Sequence, residues 1–124
     1  MTEPRVLDPE DSKILTLARG ARARNDAPEG AAVRDSTGRT YVAIPVDLPS
    51  LKLSALQVAI AMAVASGASV LEAAAVVRAP GSPVDAGLGE DELAAARDLK
   101  TGAVLLAGPD AAGPPDWTGV RRLV

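Results

Sequence analysis

The sequence predicts an α/β domain in which helices cover a mixed sheet, and three observations carry that prediction. Segments of helical spacing alternate with short apolar runs in the order helix, strand, strand, helix, strand, helix, strand. A turn with glycine, Asp35-Ser36-Thr37-Gly38, separates two of those runs in the manner of an antiparallel hairpin. The chain has 124 residues, 48% of them hydrophobic. That is enough for one domain over residues 1–124, burying roughly two thirds of the surface its unfolded chain exposes.

Residues 1–10, with Pro4 and Pro9, read as a flexible leader. From Asp11, the positions Ile14, Leu17, Ala18 and Ala21 recur at helical spacing, so a first helix is expected to about Ala23, its acidic start matching the helix dipole. The stretch Asn25 to Gly30 ends it. Ala31 to Arg34 and Thr40 to Ile44 are the two strands of the hairpin. Pro45 and Pro49 bracket Val46, Asp47 and Leu48, which makes that segment unsuited to a central strand. Ser54 is placed to cap a second helix, with Gln57 three residues later as its capping-box partner. Val58 to Ala65 is apolar on nearly every face, so this helix is expected to be covered on both sides. Ala73 to Val77 reads as a buried strand, and Glu90 to Leu99 as a third helix that begins with three acidic residues. Ala103 to Ala107 is the last clear strand, after which Val120 to Val124 is left to pair or to pack.

Tyr41 and Trp117 are the only aromatic residues, so the core must be built from Ala, Val, Leu and Ile. Small buried side chains leave a small domain marginal, which favours self-association. Sixteen acidic and 13 basic residues give a net charge of -3, without the positive footprint that nucleic acid requires. Arg19, Arg22 and Arg24, with Arg5 and Lys13 nearby, read as a solvated helix face rather than an anion-contact patch. No cysteine and no histidine is present, which removes thiol nucleophiles, disulfides and the commonest zinc ligands. The first residues lack the pattern of a signal peptide, and the apolar run near residues 55 to 65 is too short to span a bilayer. The expectation is a cytoplasmic protein with no membrane partner.

The order of local phrases resembles the cytidine deaminase family. Gly30-Ala31-Ala32-Val33, the hairpin Asp35 to Tyr41, Pro45-Val46-Asp47, Ser54 to Ile60, Ala74 to Val77 and Ser82 to Gly87 follow that family's signatures in sequence. The resemblance runs from about Lys13 to Leu106. It implies a mixed five-stranded sheet flanked by helices and assembly as a dimer or tetramer. It also implies a zinc site at the start of the second helix, held by a Cys-Ala-Glu phrase and a later Pro-Cys-x-x-Cys phrase. Carried onto this chain, the first ligand falls on Ser54, the proton-shuttling carboxylate on Leu56, and the two later ligands on Val84 and Gly87. The family's ribose-contacting Asn-x-Glu falls on Pro45 and Asp47, of which Asp47 can still accept a hydrogen bond from a sugar hydroxyl.

Deamination of this type needs a metal to lower the pKa of water and a carboxylate to carry the proton. Valine and glycine cannot ligate zinc, a neutral serine hydroxyl is a poor ligand, and leucine cannot shuttle protons. No catalytic residue, metal or cofactor is therefore expected. The segment before Gly30 and the linker from Leu51 to Ser54 are short for the family, so the pocket is expected to be narrowed or filled, with Leu56 pointing into it. The leading expectation is a catalytically inactive cytidine deaminase-like protein with a structural or protein-interaction role, a homo-oligomer with an unidentified protein partner in view. The alternatives are a non-catalytic nucleoside or small-ligand binding module, with Asp47 in contact, and a deaminase by resemblance alone.

Other chemistry is weaker still. Asp85, Glu90, Asp91 and Glu92 match no calcium loop and are accounted for by a helix start. Gly87-Leu88-Gly89 lacks the pattern and preceding strand of a phosphate cradle. Ser54 has no histidine base, and Lys52 is its only nearby basic residue. Trp117 is expected to be a lid over one edge of the core or an assembly contact rather than a base-stacking platform.

Overall fold

The computed structural model describes residues 7–81, 87–108, 111, 113, 117 and 119–123. Helix α1 (Pro9–Arg24) starts before the expected Asp11. Asp8 is its cap, accepting the Glu10 N–H at 2.8 Å, and Pro9 supplies a first-turn residue that needs no N–H partner. Leu7 is already buried. Of the residues 1–10 expected as a leader, Leu7 to Glu10 belong to the helix and its approach, and residues 1–6 lie outside the described residues.

Strands β1 (Glu29–Asp35), β2 (Thr40–Ala43), β5 (Leu71–Arg78), β6 (Val104–Ala107) and β7 (Val120–Arg122) form a five-stranded sheet in the order β2-β1-β5-β6-β7. Only β5 and β6 run parallel; the other neighbours are antiparallel, so the sheet is mixed. β3 (Val46–Leu48) and β4 (Leu51–Leu53) make a separate two-stranded ribbon that the prolines concealed in the sequence. The segment is excluded from the central sheet, as its prolines dictate, but pairs with itself. Val120–Arg122 does pair, as an edge strand beside β6.

Side chains alternate across the sheet with the period of two that strands impose. Ala31, Val33, Ala74, Val76, Val104 and Leu106 face helix α2 (Ala55–Ala65) and helix α3 (Glu90–Asp98). Ala32, Ala73, Ala75, Val77, Leu105 and Ala107 face α1 with Ile14, Leu15 and Ala18. Trp117 is 1% exposed in the α1 layer, where its indole Nε1 donates to Ser12 Oγ at 2.8 Å. Gly30 allows α1 to lie directly on β1, because a Cβ there would stand 2.2 Å from the Ala18 carbonyl oxygen. The small residues read from the sequence thus become close approach of layers.

The hairpin turn is built by Asp35. Its Oδ1 accepts from the Thr37 N–H, the Thr37 hydroxyl and the Arg39 N–H at 2.9, 2.7 and 3.0 Å, and its Oδ2 accepts from the Tyr41 hydroxyl at 3.2 Å. Gly38 follows with φ +89°, which a residue without a Cβ adopts freely. Beneath it, Arg34 joins Asp11 of α1 and Glu72 of β5 at 3.0 and 2.8 Å.

Helix α2 departs from expectation on its outer side. Its inner stripe, Ala55, Leu56, Ala59, Ile60 and Ala63, is buried, whereas Met62 and Val64 are 41% and 49% exposed. Within one chain it is covered on one side only. No helix among the described residues is long and apolar enough to cross a membrane.

Candidate functional site

Three separated segments meet at the N-terminal end of α2. β2 stops short of Pro45, whose missing N–H cannot serve a further ladder bond. The chain then turns into the β3–β4 ribbon, where Asp47 stands opposite Lys52, and the ribbon delivers Ser54 to the head of the helix. Between this corner and the segment after α1 lies a cleft of about 540 Å³, lined by Asn25, Pro28, Pro45, Asp47, Lys52 and Ser54 among others. That volume falls in the range of small-molecule sites, about 300–1,000 Å³.

Three N–H groups at the helix end are already committed. Ser54 Oγ accepts the Gln57 N–H at 3.2 Å, and the Gln57 side chain accepts the Ser54 N–H at 2.9 Å, completing the predicted capping box. The Ala55 N–H donates to Glu29 Oε2 at 2.9 Å. A carboxylate of the chain's own therefore sits where a helix N-terminus attracts negative charge. Glu29 Oε1 is in turn 3.6 Å from Arg78 Nε, and both side chains are largely buried.

The structure brings Asp47 and Ser54 to one cleft whose lining does not include Leu56 or Gly87. Leu56 is fully buried among the residues of the α2 layer and does not line the cleft. Gly87 is half-buried ahead of α3 with φ +69° and also stands away from the cleft lining. Val84, with Pro83 and Asp85, lies outside the described residues. Leu56 packs with Leu88 and Ala96 between α2 and α3, while the cleft beside Asp47 and Ser54 stays open. Asp47 and Lys52 form an exposed pair at 2.7 Å, a contact worth at most about 1 kcal/mol and easily displaced by a ligand.

Glu29 and Arg78 were not singled out in the sequence. The available signal was a pair of opposite charges, one directly before Gly30 and one directly after the apolar run ending at Val77, but only the strand register sets them face to face. Glu90, Asp91 and Glu92 occupy the first turn of α3, with Glu92 Oε1 accepting the Gly89 N–H at 3.2 Å. Among the described residues no three His, Cys, Asp or Glu side chains group so as to hold a metal ion.

A family profile described as Cytidine deaminase-like matches residues 7–111. No curated protein matches the sequence. Among solved structures, the cytidine deaminase from Burkholderia pseudomallei is similar with a TM-score of 0.67 and 20% identity, over 89% of this chain and 88% of that one. The cytidine deaminase from Mycobacterium leprae is similar with a TM-score of 0.65 and 21% identity, over 93% and 94% of the two chains. A mutant cytidine deaminase from Mycobacterium tuberculosis gives 0.58 and 22%, over 87% and 89%. At these identities the likeness to solved structures is one of fold.

Proposed function

The chain belongs to the cytidine deaminase-like family, and from that premise we propose that it is a catalytically inactive member with a structural or protein-interaction role. The observation that carries this reading is the chemistry of the positions that match the family's metal site. Ser54 spends its hydroxyl on the Gln57 N–H, Leu56 is an aliphatic side chain in the core, and Gly87 has no side chain. None offers the thiolate, imidazole or carboxylate that zinc and its proton shuttle require, and the whole chain holds no Cys or His. These residues do not fit a catalytic zinc. Incubating the purified protein with cytidine and deoxycytidine, with and without added zinc, while following the absorbance of the base, is expected to give no turnover; metal-dependent conversion above a blank overturns the reading.

A homo-oligomer is part of the proposal. The outward side of α2, with Met62 and Val64, offers apolar surface suited to a second copy, and a core of small residues gains from such cover.

The open cleft beside Asp47 and Ser54 favours a second reading, a non-catalytic site for a nucleoside or similar hydroxylated ligand. Asp47 Oδ1 is an exposed acceptor shared only with Lys52 among the described residues. A thermal-shift panel of nucleosides is expected to show selective stabilisation that Asp47→Ala removes. A flat response across the panel discards this second reading and leaves the first intact.

A further inference from the structure

A second, smaller cleft lies on the opposite side of the sheet, between α1 and the carboxyl ends of β5 and β6. Its volume is about 120 Å³, and its walls include Arg19 and Arg22 of α1, Arg78 at the end of β5, Gly108 and Ala111 after β6, and the indole of Trp117. The Arg19 guanidinium carbon stands 5.6 Å from the centre of the Trp117 ring, within range of cation–π attraction. Arg19 and Arg22 bring two guanidinium groups to one cleft of a chain whose net charge is -3.

We propose that this cleft binds a phosphate-sized oxyanion, as inorganic phosphate or the phosphate group of a small monoester. The volume is too small for a whole nucleoside, lying well below the roughly 300 Å³ at which small-molecule sites begin. Guanidinium groups are the side chains best suited to oxyanions, since their planar fork donates two parallel N–H bonds. Arg78 turns its guanidinium to Glu29 and the head of α2, on the other side of the sheet, so the anion's ligands here are Arg19 and Arg22. Arg22 is anchored through its Nη1 contact with the Ala27 carbonyl oxygen at 3.4 Å, so one of the two guanidinium groups is ordered before any anion arrives. The small residues Gly108 and Ala111 leave room at the strand ends, the position where open sheets with parallel strands receive ligands.

Trp117 is the only tryptophan of the chain, so its emission reports from the wall of this cleft. The protein is titrated with inorganic phosphate and, separately, with glycerol phosphate, at constant ionic strength set by chloride, with calorimetry as an independent readout. A saturable change is expected for at least one of the two; the tighter of them tells whether free or esterified phosphate is preferred. Arg19→Gln and Arg22→Gln are each expected to weaken binding about tenfold, as loss of a charge-assisted hydrogen bond does. Lys13→Gln, an exposed basic residue outside the cleft lining, is expected to leave binding unchanged. Arg19 is itself exposed, so its variant keeps the fold even where the Arg22 variant does not. A response no different from chloride, or binding retained at full strength in Arg19→Gln, overturns the proposal.

Discussion

Glu29 stands directly opposite Arg78 on the neighbouring strand, and its carboxylate bridges that arginine to the backbone of Ala55 at the head of α2. One side chain thus ties the sheet to the helix it carries. Glu29→Ala leaves a largely buried guanidinium and a helix N–H without this partner, and is expected to cost about 2–3 kcal/mol. Glu29→Gln keeps a neutral acceptor and is expected to cost about half as much. Urea unfolding midpoints of the two variants separate the charge from the hydrogen bond; equal losses remove the charge from the account.

Asp35 ties acid stability to the hairpin. The hydrogen bond from the Thr37 hydroxyl, followed by those from the Arg39 and Thr37 N–H groups and from Tyr41, holds its carboxyl below the ordinary carboxylate range despite burial. The folded state therefore binds fewer protons than the unfolded chain as pH falls past about 4. Its contribution is fully present above that value and is lost at lower pH as the carboxyl protonates. Thermal midpoints measured from neutral pH downward should fall less steeply in Asp35→Asn than in the wild type below about pH 4. Parallel curves in that window speak against this assignment.

Two glycines should respond in opposite directions to alanine. Gly30→Ala drives a methyl group into the Ala18 carbonyl of α1 and is expected to cost about 3 kcal/mol, the upper end of overpacking losses. Gly20 lies within α1, where an added Cβ meets only the far end of the Arg24 side chain at 3.0 Å. Gly20→Ala should therefore gain roughly 0.5–1 kcal/mol through helix propensity. Denaturant midpoints decide both, and a mild effect of Gly30→Ala contradicts the close approach.

The outer side of α2 makes a prediction about assembly. Met62→Glu combined with Val64→Glu places charges on exposed positions and leaves the buried stripe untouched. Light scattering after size exclusion is expected to show a dimer or tetramer for the wild type and a smaller species for the double variant. An unchanged mass places the contact elsewhere.

Much of this fold was legible because its signals are local. The Ser54 and Gln57 capping box, the acidic first turn of α3 and the Asp35 to Gly38 turn each act within a few residues, and each forms as its residues dictate. The ribbon was hidden because Pro45 and Pro49 suppress strand signals, while Leu48 and Leu51 are exposed and give no alternation. Asp8 escaped notice as a cap because Pro9 after it reads as a breaker, although proline suits the first turn. The site was legible in part. Asp47 and Ser54 share a cleft, but whether Leu56 faces that cleft or the core depends on how α2 is rotated on the sheet, which no spacing within the helix fixes. The Glu29 and Arg78 pair depends on register between distant strands, a property of the assembled sheet.

That assembled sheet also sets the order in which the molecule can form. β1 and β2 meet across a tight turn, whereas the ribbon and the whole of α2 lie between β1 and β5 in sequence. Closing such a loop costs entropy before its contacts return any stability. A β1–β2 hairpin formed ahead of β5 leaves its inner strand with one open edge, and an unpaired edge is a template for another chain. Crowded refolding puts this protein at risk at that moment, and dilution or slow addition of denatured chain should raise the yield of native material.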